Sequence, residues 1–321
     1  MNDPVYIVIP AYNEGKNLEK LIPYLFSIKI KNLSYIYVID SNSSDDTQDI
    51  MNKYIRLYKN LIYIREERRN GKAYSLNKVL ELIKDGIIII HSADCYMDES
   101  SLNALIEKIS GDVVAAMPLV EPILRYRNLA EKVSFFSWII SNETSKFLYQ
   151  KGMLGHLGND IIAIKRKAIS FIDPLAINDD GYLALQLIKK GYRIALVEDA
   201  KSRIKATSSF IDYLNQRIRI DIGHKINKKL LGASSTTLKS IILVKPLIGS
   251  KILLITLRDY FPRSFIYIPL LILLELFVTV CSNLLSKFYR PIVWPIAYST
   301  KDLFELEEDL LDKHGSCRME K

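Results

Sequence analysis

The chain has 321 residues, a formal net charge of +8 and a sequence pI of about 9.1. Its 49% hydrophobic and 25% charged residues exclude a disordered chain and one wholly embedded in a bilayer, and allow one large domain with an appendage or two modest domains. The basic excess fits a polyanionic partner, whether nucleotide phosphates, nucleic acid or an anionic membrane face, and fits equally an ordinary solvated surface. Cys95, Cys281 and Cys317 form no CxxC pair and His is too scarce for a zinc cluster, which suits a cytoplasmic setting. The opening run MNDPVYIVIPAYNE lacks the basic region, apolar core and small-residue cleavage site of a secretory signal.

In chain order, the first third alternates strands and helices. Residues 5–10 (VYIVIP) are apolar and β-branched, as a buried parallel strand requires. In AYNEGKNLEKLIPYLFSI, Leu18, Leu21, Ile22 and Leu25 recur at helical spacing. A second strand at 34–40 (SYIYVID) ends in the polar turn SNSSDD; a helix follows at 47–57 and a third strand at 61–66. GKAYSLNKVLELIK opens a third helix, and GIIIIHSAD (86–94) is a fourth strand. A helix at 99–109 and a strand at 112–117 complete a doubly wound pattern.

Further on, residues 122–150 predict one long or broken amphipathic helix, GMLGHLGND a glycine-rich loop, and IIAIKRKAI a strand running into a helix. DDGYLALQLIKKGYRIALVED predicts a helix capped by Gly191 and a strand at 193–197. Beyond Lys228 the composition turns apolar. Residues 241–257 contain Lys245 and Lys251 and suit an interfacial helix. Residues 264–286 carry a single charge, Glu275, and match a hydrocarbon core of about 30 Å. Arg258 and Arg263 precede that stretch and Lys287 and Arg290 follow it, so the flanks barely decide an orientation. A spanning helix, a re-entrant or in-plane segment, and a helix buried against the soluble domain all satisfy the pattern. The tail KDLFELEEDLLDKHGSCRMEK is charged and expected in solvent.

Ligands of an open parallel sheet gather outside the carboxyl ends of its strands. Tyr12, Asn13 and Glu14 follow the first strand, Asp40, Ser41 and Asn42 the second, and Asp94 and Asp98 the fourth. Asp, Asn and Ser also serve as helix caps and turn formers. Their recurrence at successive strand ends points beyond that to a nucleotide pocket. GxGxxG and GxxxxGK[ST] are both absent, so dinucleotide and P-loop readings have no support.

Six segments in one order, IPAYNE, VIDSNSSDDT, RNGKAYSLN, HSAD, NDDGYLALQLIKKGYRIALVEDA and QRIRI, resemble family 2 inverting glycosyltransferases of the GT-A fold over roughly residues 5–220. The resemblance implies an α/β fold, a GT-A-type mostly parallel twisted sheet with helices on both faces, plus apolar C-terminal helices. It implies a catalytic domain at 1–228, a membrane-associated or transmembrane helical region at 229–300 and a charged tail at 301–321.

The resemblance also implies roles. Pro10, Ala11, Tyr12 and Glu14 match the loop around the base and ribose, Asp40 the acid that hydrogen-bonds the base, and Gly71 and Lys72 the element that closes over the nucleotide. Ser41 stands where the family usually has a second acid. HSAD occupies the place of the family's DxD motif, with Ser92 for the first acid, able to bond ribose, and Asp94 as the acid on the metal. A divalent cation, Mg²⁺ or Mn²⁺, would there neutralise the departing diphosphate. His91 is not expected as a ligand. Asp179 and Asp180 match the acidic pair before a helix, and Asp180 is the expected general base. Both also suit a helix N-terminus, and the charge of Asp179 is expected to raise its neighbour's pKa. Gln216, Arg217 and Arg219 resemble the QxxRW element that binds the diphosphate. Ile220 replaces its Trp, which argues against a long processive polymer. No His occurs between Asp180 and His224, so the metal-binding His of some relatives is missing. His156 and Asn159 lie in the glycine-rich loop and are not assigned to catalysis.

These readings predict an enzyme that moves a sugar, with inversion, from a UDP- or GDP-sugar to a lipid or lipid-linked glycan. The membrane is its partner and nucleic acid is not. It is expected at the cell membrane with its catalytic domain in the cytoplasm. The alternatives are a nucleotidyltransferase and a non-catalytic nucleotide-sugar-binding relic.

Overall fold

The computed structural model describes residues 3–158, 160–288, 293, 295 and 297–301. Strands β1 (Val5–Ala11), β2 (Leu33–Asp40), β3 (Leu61–Arg65), β4 (Ile87–His91), β5 (Cys95–Tyr96), β6 (Val113–Ile123), β7 (Ile161–Lys165) and β8 (Arg193–Lys205) form one sheet in the order β3-β2-β1-β4-β7-β6-β8-β5. The central strands are buried on both faces, which explains their unbroken apolar runs. Ile7, Ile9, Ile87 and Ile89 enter one core, while Val8, Ile88 and Ile90 enter the other.

The first core is closed by α1 (Gly15–Ser27), whose Leu18, Leu21, Ile22 and Leu25 are fully buried, and by α2 (Thr47–Leu57) and α4 (Glu99–Lys108). The second is closed by α3 (Lys72–Leu82) and α6 (Asp179–Lys189). Gly191 ends the α6 turn at φ 80°, as expected of its cap.

The sheet is mostly parallel, as expected, and its interior antiparallel strand is β7. It lies antiparallel to both β4 and β6, with His91 opposite Ile161. The chain therefore enters β7 at the carboxyl end of β4, which turns one further loop toward the ligand edge. Strands β6 and β8 overrun their expected ends at 117 and 197. They stay paired past Pro118 through a register shift in which Leu119 meets Lys201. Residues 122–123 belong to β6, so helix α5 begins later, at Leu129–Gln150, where Asn128 accepts the Glu131 amide at 2.9 Å.

Helix α7 (Phe210–Leu231) leaves the sheet and stops at Gly232 in the left-handed region. The expected helix at 241–257 is two helices, α8 (Leu238–Val244) and α9 (Pro246–Asp259), because Pro246 begins a new helix at its first turn. Helix α10 (Arg263–Phe288) contains the apolar stretch and is long and apolar enough, by length and composition, to cross a membrane.

One side of α10 is docked. Leu271 packs in a cluster with Val133, Phe136 and Tyr213. Glu275 pairs with Arg217 at 2.6 Å, and Lys225 of α7 donates to Ser282 at 2.7 Å and Asn283 at 2.6 Å. The other side is bare, with Phe265, Ile266, Leu273 and Leu276 all at least 60% exposed. Lys301, expected to open a solvated tail, instead pairs with Glu14. The remainder of that tail, 302–321, lies outside the described residues.

Candidate active site

The carboxyl ends of β1, β2 and β4, the start of β7, and the N-terminus of α6 converge at one edge of the sheet, with α7 beside them. At the end of β1, the Tyr12 ring carries the Arg69 guanidinium 3.9 Å from its centroid. Asn13 and Asn42 both adopt positive φ, 54° and 62°, a conformation Asn tolerates. They lock two loops together: the Asn13 amide donates to Ser43 Oγ at 2.9 Å and its side chain accepts from the Ser44 amide at 2.8 Å. Glu14 is buried, accepts from Asn17 at 2.8 Å and pairs with Lys301. Pro10 and Ala11 form the strand end below this loop.

Asp40 is fully buried and its carboxylate is already engaged. Oδ1 accepts from the Ser43 amide at 2.8 Å and its hydroxyl at 2.5 Å, while Oδ2 accepts from Tyr63 at 2.6 Å and faces Arg65 at 3.5 Å. In this conformation the residue carried over as the base contact holds the turn after β2, so a base has to reach it by exchanging one of these donors. Beside it, Ser41 donates to Glu66 at 3.2 Å, and Glu66 is 2% exposed with Oε1 lacking a hydrogen-bond partner. Burial raises the Glu66 pKa.

After β4 the chain keeps a strict alternation. His91, Ala93, Cys95 and Met97 are buried, while Ser92 and Asp94 reach partial exposure at the site. His91 therefore faces inward, as expected. Its Nδ1 lies 2.7 Å from the Ser92 carbonyl, and burial pushes its pKa down to about 4. The Asp94 carboxyl is raised by burial, against the pull of its own amide, Lys72 and Arg219, and it takes a hydrogen bond from Thr300.

Asp179 and Asp180 open α6. Asp179 pairs with Lys72 at 3.0 Å, and Asn178 precedes it as the cap. Burial, and then the charge of Asp179, lift Asp180 up to about 7, against Lys72 and the Gly181 amide. The expected effect of Asp179 is present, second to desolvation. Burial works against the Lys72 ammonium, but Asp179 and then Asp180 outweigh it and raise its pKa.

The QRIRI segment divides. Gln216 accepts from Thr207 at 3.2 Å, and Arg217 turns to Glu275 of α10. Arg219, exposed at the mouth, lies within the field of Asp94, Asp160 and Asp180. His156 and His224 meet at a tilt behind Asn178, ring centroids 5.5 Å apart, and burial pushes their pKa values down to about 4 and about 3. They are neutral packing groups behind the α6 cap. Asn159 lies outside the described residues.

Sequence reasoning missed three features. Asp160, immediately before β7, places its carbonyl 2.8 Å from the Ser92 amide and shares the field of Asp94, Lys72 and Arg219. Arg69 stacks on Tyr12. Residues 298–301 fold back over the site, with the Ser299 amide bonded to Asp212 at 2.9 Å and the Lys301 carbonyl bonded to Lys205 at 2.8 Å. Asp160 had a signal in its acid at a strand start, but only the antiparallel direction of β7 gives that signal a meaning.

Among the described residues, no three His, Cys, Asp or Glu side chains converge to hold a metal ion by themselves. Mg²⁺ and Mn²⁺ sites of the phosphate-transferring kind need only one or two carboxylates, the substrate's phosphates completing the shell. Asp94 offers a hard oxygen donor there, and the Lys72 ammonium among the acids marks the place as one that accepts positive charge. These residues fit a divalent cation shared with a diphosphate.

A sequence model described as glycosyl transferase family 2 matches residues 6–172. An uncharacterized protein of Methanocaldococcus jannaschii is 26% identical over 69% of this chain and 96% of its own length. A beta-monoglucosyldiacylglycerol synthase of Trichormus variabilis is 30% identical over 37% of this chain, a match that spans only 26% of that enzyme. Among solved structures, a mannosyltransferase from Pyrobaculum calidifontis, in complex with GDP-Man and Mn²⁺, superposes with a TM-score of 0.60. It is 18% identical, covering 89% of this chain and 87% of that one, a likeness of GT-A fold.

Proposed function

The chain belongs to glycosyl transferase family 2 and is a glycosyltransferase, and from that premise we propose that it moves a sugar, with inversion, from a nucleoside diphosphate sugar to an acceptor held at a membrane. The observation that carries this reading is the meeting of Asp94, Lys72, Arg219 and Asp180 at one edge of the sheet. Cationic groups for a leaving diphosphate there adjoin a carboxylate whose pKa suits a base near neutral pH.

Asp94 would hold the cation, and Mg²⁺ or Mn²⁺ when bound supplies charge that stabilises the departing diphosphate. Tyr12, with Arg69 stacked on its ring, would line the nucleoside pocket, and Lys72 and Arg219 would face the phosphates. The diphosphate role carried over to Arg217 passes to Arg219, because Arg217 is committed to Glu275. Asp180 would take the proton of the acceptor hydroxyl as its oxygen attacks the anomeric carbon opposite the leaving group. A base raised by burial is matched to that task, and its presence favours a hydroxyl acceptor over a phosphate, which needs no deprotonation.

The acceptor reading rests on α8–α10. Leu243, Val244, Leu247 and Leu254 of α8 and α9 are exposed as well, and exposed apolar side chains in such number mark an interaction surface. Glu275, Ser282 and Asn283 tie α10 along α7. Sinking α10 across a bilayer would carry Arg217, Asp221 and Lys225 with it at several kcal/mol, so the geometry favours a helix lying in the membrane face. The donor base and sugar are open between uracil and guanine nucleotides. The relative named as a beta-monoglucosyldiacylglycerol synthase supports a lipid acceptor.

The test incubates purified full-length protein with UDP- and GDP-sugars, Mn²⁺ and a lipid extract. Release of the free nucleoside diphosphate with a glycosylated lipid is expected. Pyrophosphate release would indicate nucleotidyl transfer, and no release from any donor would indicate a binding module.

A further inference from the structure

We propose that Asp160 is the second carboxylate of the donor's cation site, supplied across the sheet from β7 in the place that Ser92 leaves without an acid on β4. The inference deepens the reading of this edge as a nucleoside diphosphate sugar site and rests on it.

The geometry is set by the antiparallel β4–β7 pair. His91 faces Ile161, so the next rung outward pairs Ser92 with Asp160, and the Ser92 amide donates to the Asp160 carbonyl at 2.8 Å. Residues directly opposite on antiparallel strands project to the same face, with Cβ atoms about 4.5–5.5 Å apart. The face that carries Ser92 and Asp94 is the partly exposed one, while His91, Ala93 and Cys95 point into the core. The Asp160 side chain thus enters the same space as Ser92 and is itself partly exposed there.

Its charged surroundings agree. The groups acting on Asp160 are Asp94, Lys72, Asp180 and Arg219, and Lys72 and Arg219 act on Asp94 as well. Among the described residues, no donor hydrogen-bonds the Asp160 carboxylate. Asp40 is different: it takes bonds from Ser43 and Tyr63 and is spent on its turn. A partly buried acid that neither caps a helix nor closes a turn, set beside a second acid, suits a hard cation that draws both. One strand losing the acid and its neighbour gaining one at the facing rung keeps the carboxylate count of the site unchanged.

The test measures Mn²⁺ affinity of full-length protein in detergent by electron paramagnetic resonance, in the presence of UDP and separately of GDP. Asp160→Ser is expected to weaken Mn²⁺ binding by about tenfold or more, the loss that even an outer partner of a metal ligand produces. The exchange variant Ser92→Asp/Asp160→Ser moves the acid to the facing rung and is expected to return the affinity to within about threefold of wild type. Melting of the metal-free Asp160→Ser protein at or above the wild-type temperature checks that the variant folds. Wild-type Mn²⁺ affinity in Asp160→Ser overturns the inference, as does an exchange variant no tighter than the single one. If Asp94→Asn loses Mn²⁺ while Asp160→Ser keeps it, this assignment falls and the donor-site reading stands. If wild-type protein binds Mn²⁺ with neither nucleotide, both fall.

Discussion

Asp180→Asn separates catalysis from stability at a single side chain. Burial and the Asp179 charge raise the Asp180 carboxyl from 3.8 to about 7. That is about 3 units, or at most about 4 kcal/mol of cost for keeping the charge in the ligand-free fold. The side chain is partly exposed, which brings the expected gain on removing the charge to about 1–2 kcal/mol. The sign is opposite to that of a salt-bridged acid. The folded pKa lies above the unfolded one, so the cost is absent below about pH 4, grows as pH rises through the interval, and is full above about 7. Asp180→Asn in ligand-free protein is therefore expected to melt a few degrees higher than wild type at pH 8 and at the same temperature near pH 4. It should lower kcat by about 10²- to 10⁴-fold, the contribution of a general base, while nucleotide binding survives. Scanning calorimetry at the two pH values and a donor-turnover assay read both effects. Wild-type turnover, or a variant less stable than wild type at pH 8, would refute the reasoning.

Four further outcomes follow from named residues. Asp94→Ala should weaken Mn²⁺-dependent binding of nucleoside diphosphates in a calorimetric titration, and unchanged metal dependence would count against its role. Arg219→Ala should lower donor affinity or turnover with little change in melting temperature. Arg217→Ala should do the reverse, lowering the melting temperature by loss of the α7–α10 ion pair, about 1–3 kcal/mol for this half-buried contact. Leu273→Glu/Leu276→Glu, on the exposed side of α10, should reduce co-sedimentation with anionic lipid vesicles and leave donor hydrolysis in detergent unchanged. Undiminished sedimentation would remove the membrane-face assignment.

Much of the fold was legible because the signal was local. The expected helix at 47–57 coincides with α2, and the expected strands at 5–10, 34–40 and 61–66 fall within a residue of β1, β2 and β3. What escaped depended on partners distant in the chain. A short apolar run such as IIAIK reads the same whether its neighbours run with it or against it, so the direction of β7 was hidden, and the rung joining Asp160 to Ser92 with it. The expected strand at 112–117 stops short of Pro118, yet β6 continues because β8 shifts register with it. The chemistry of the acids was legible as residue type and not as state. Nothing near Asp40 in sequence announces that Tyr63 engages it, and nothing near Arg217 announces Glu275. The lift of Asp180 was foreseen from its charged neighbour, while the larger cause, burial, belongs to the assembled sheet.

The division of the QRIRI segment links the two halves of the proposed reaction. Residues two apart on a helix face different sides, so Arg217 and Arg219 look in different directions from one stretch of α7. Arg217 faces the apolar helix through Glu275, and Arg219 faces the acids at the sheet edge. Lys225 and Asp221 extend the first attachment to Ser282, and Lys239 of α8 joins the same carboxylate. These partners outweigh the burial of Asp221 and depress its carboxyl to about 2, so the charged form that holds α7, α8 and α10 together persists down to strongly acidic pH. A helix fixed on one side to the proposed membrane face and on the other to the donor's phosphates sets the distance between the two. An acceptor presented at that face would meet the donor only along the middle of α7, beside the N-terminus of α6. The expected base, Asp180, stands there.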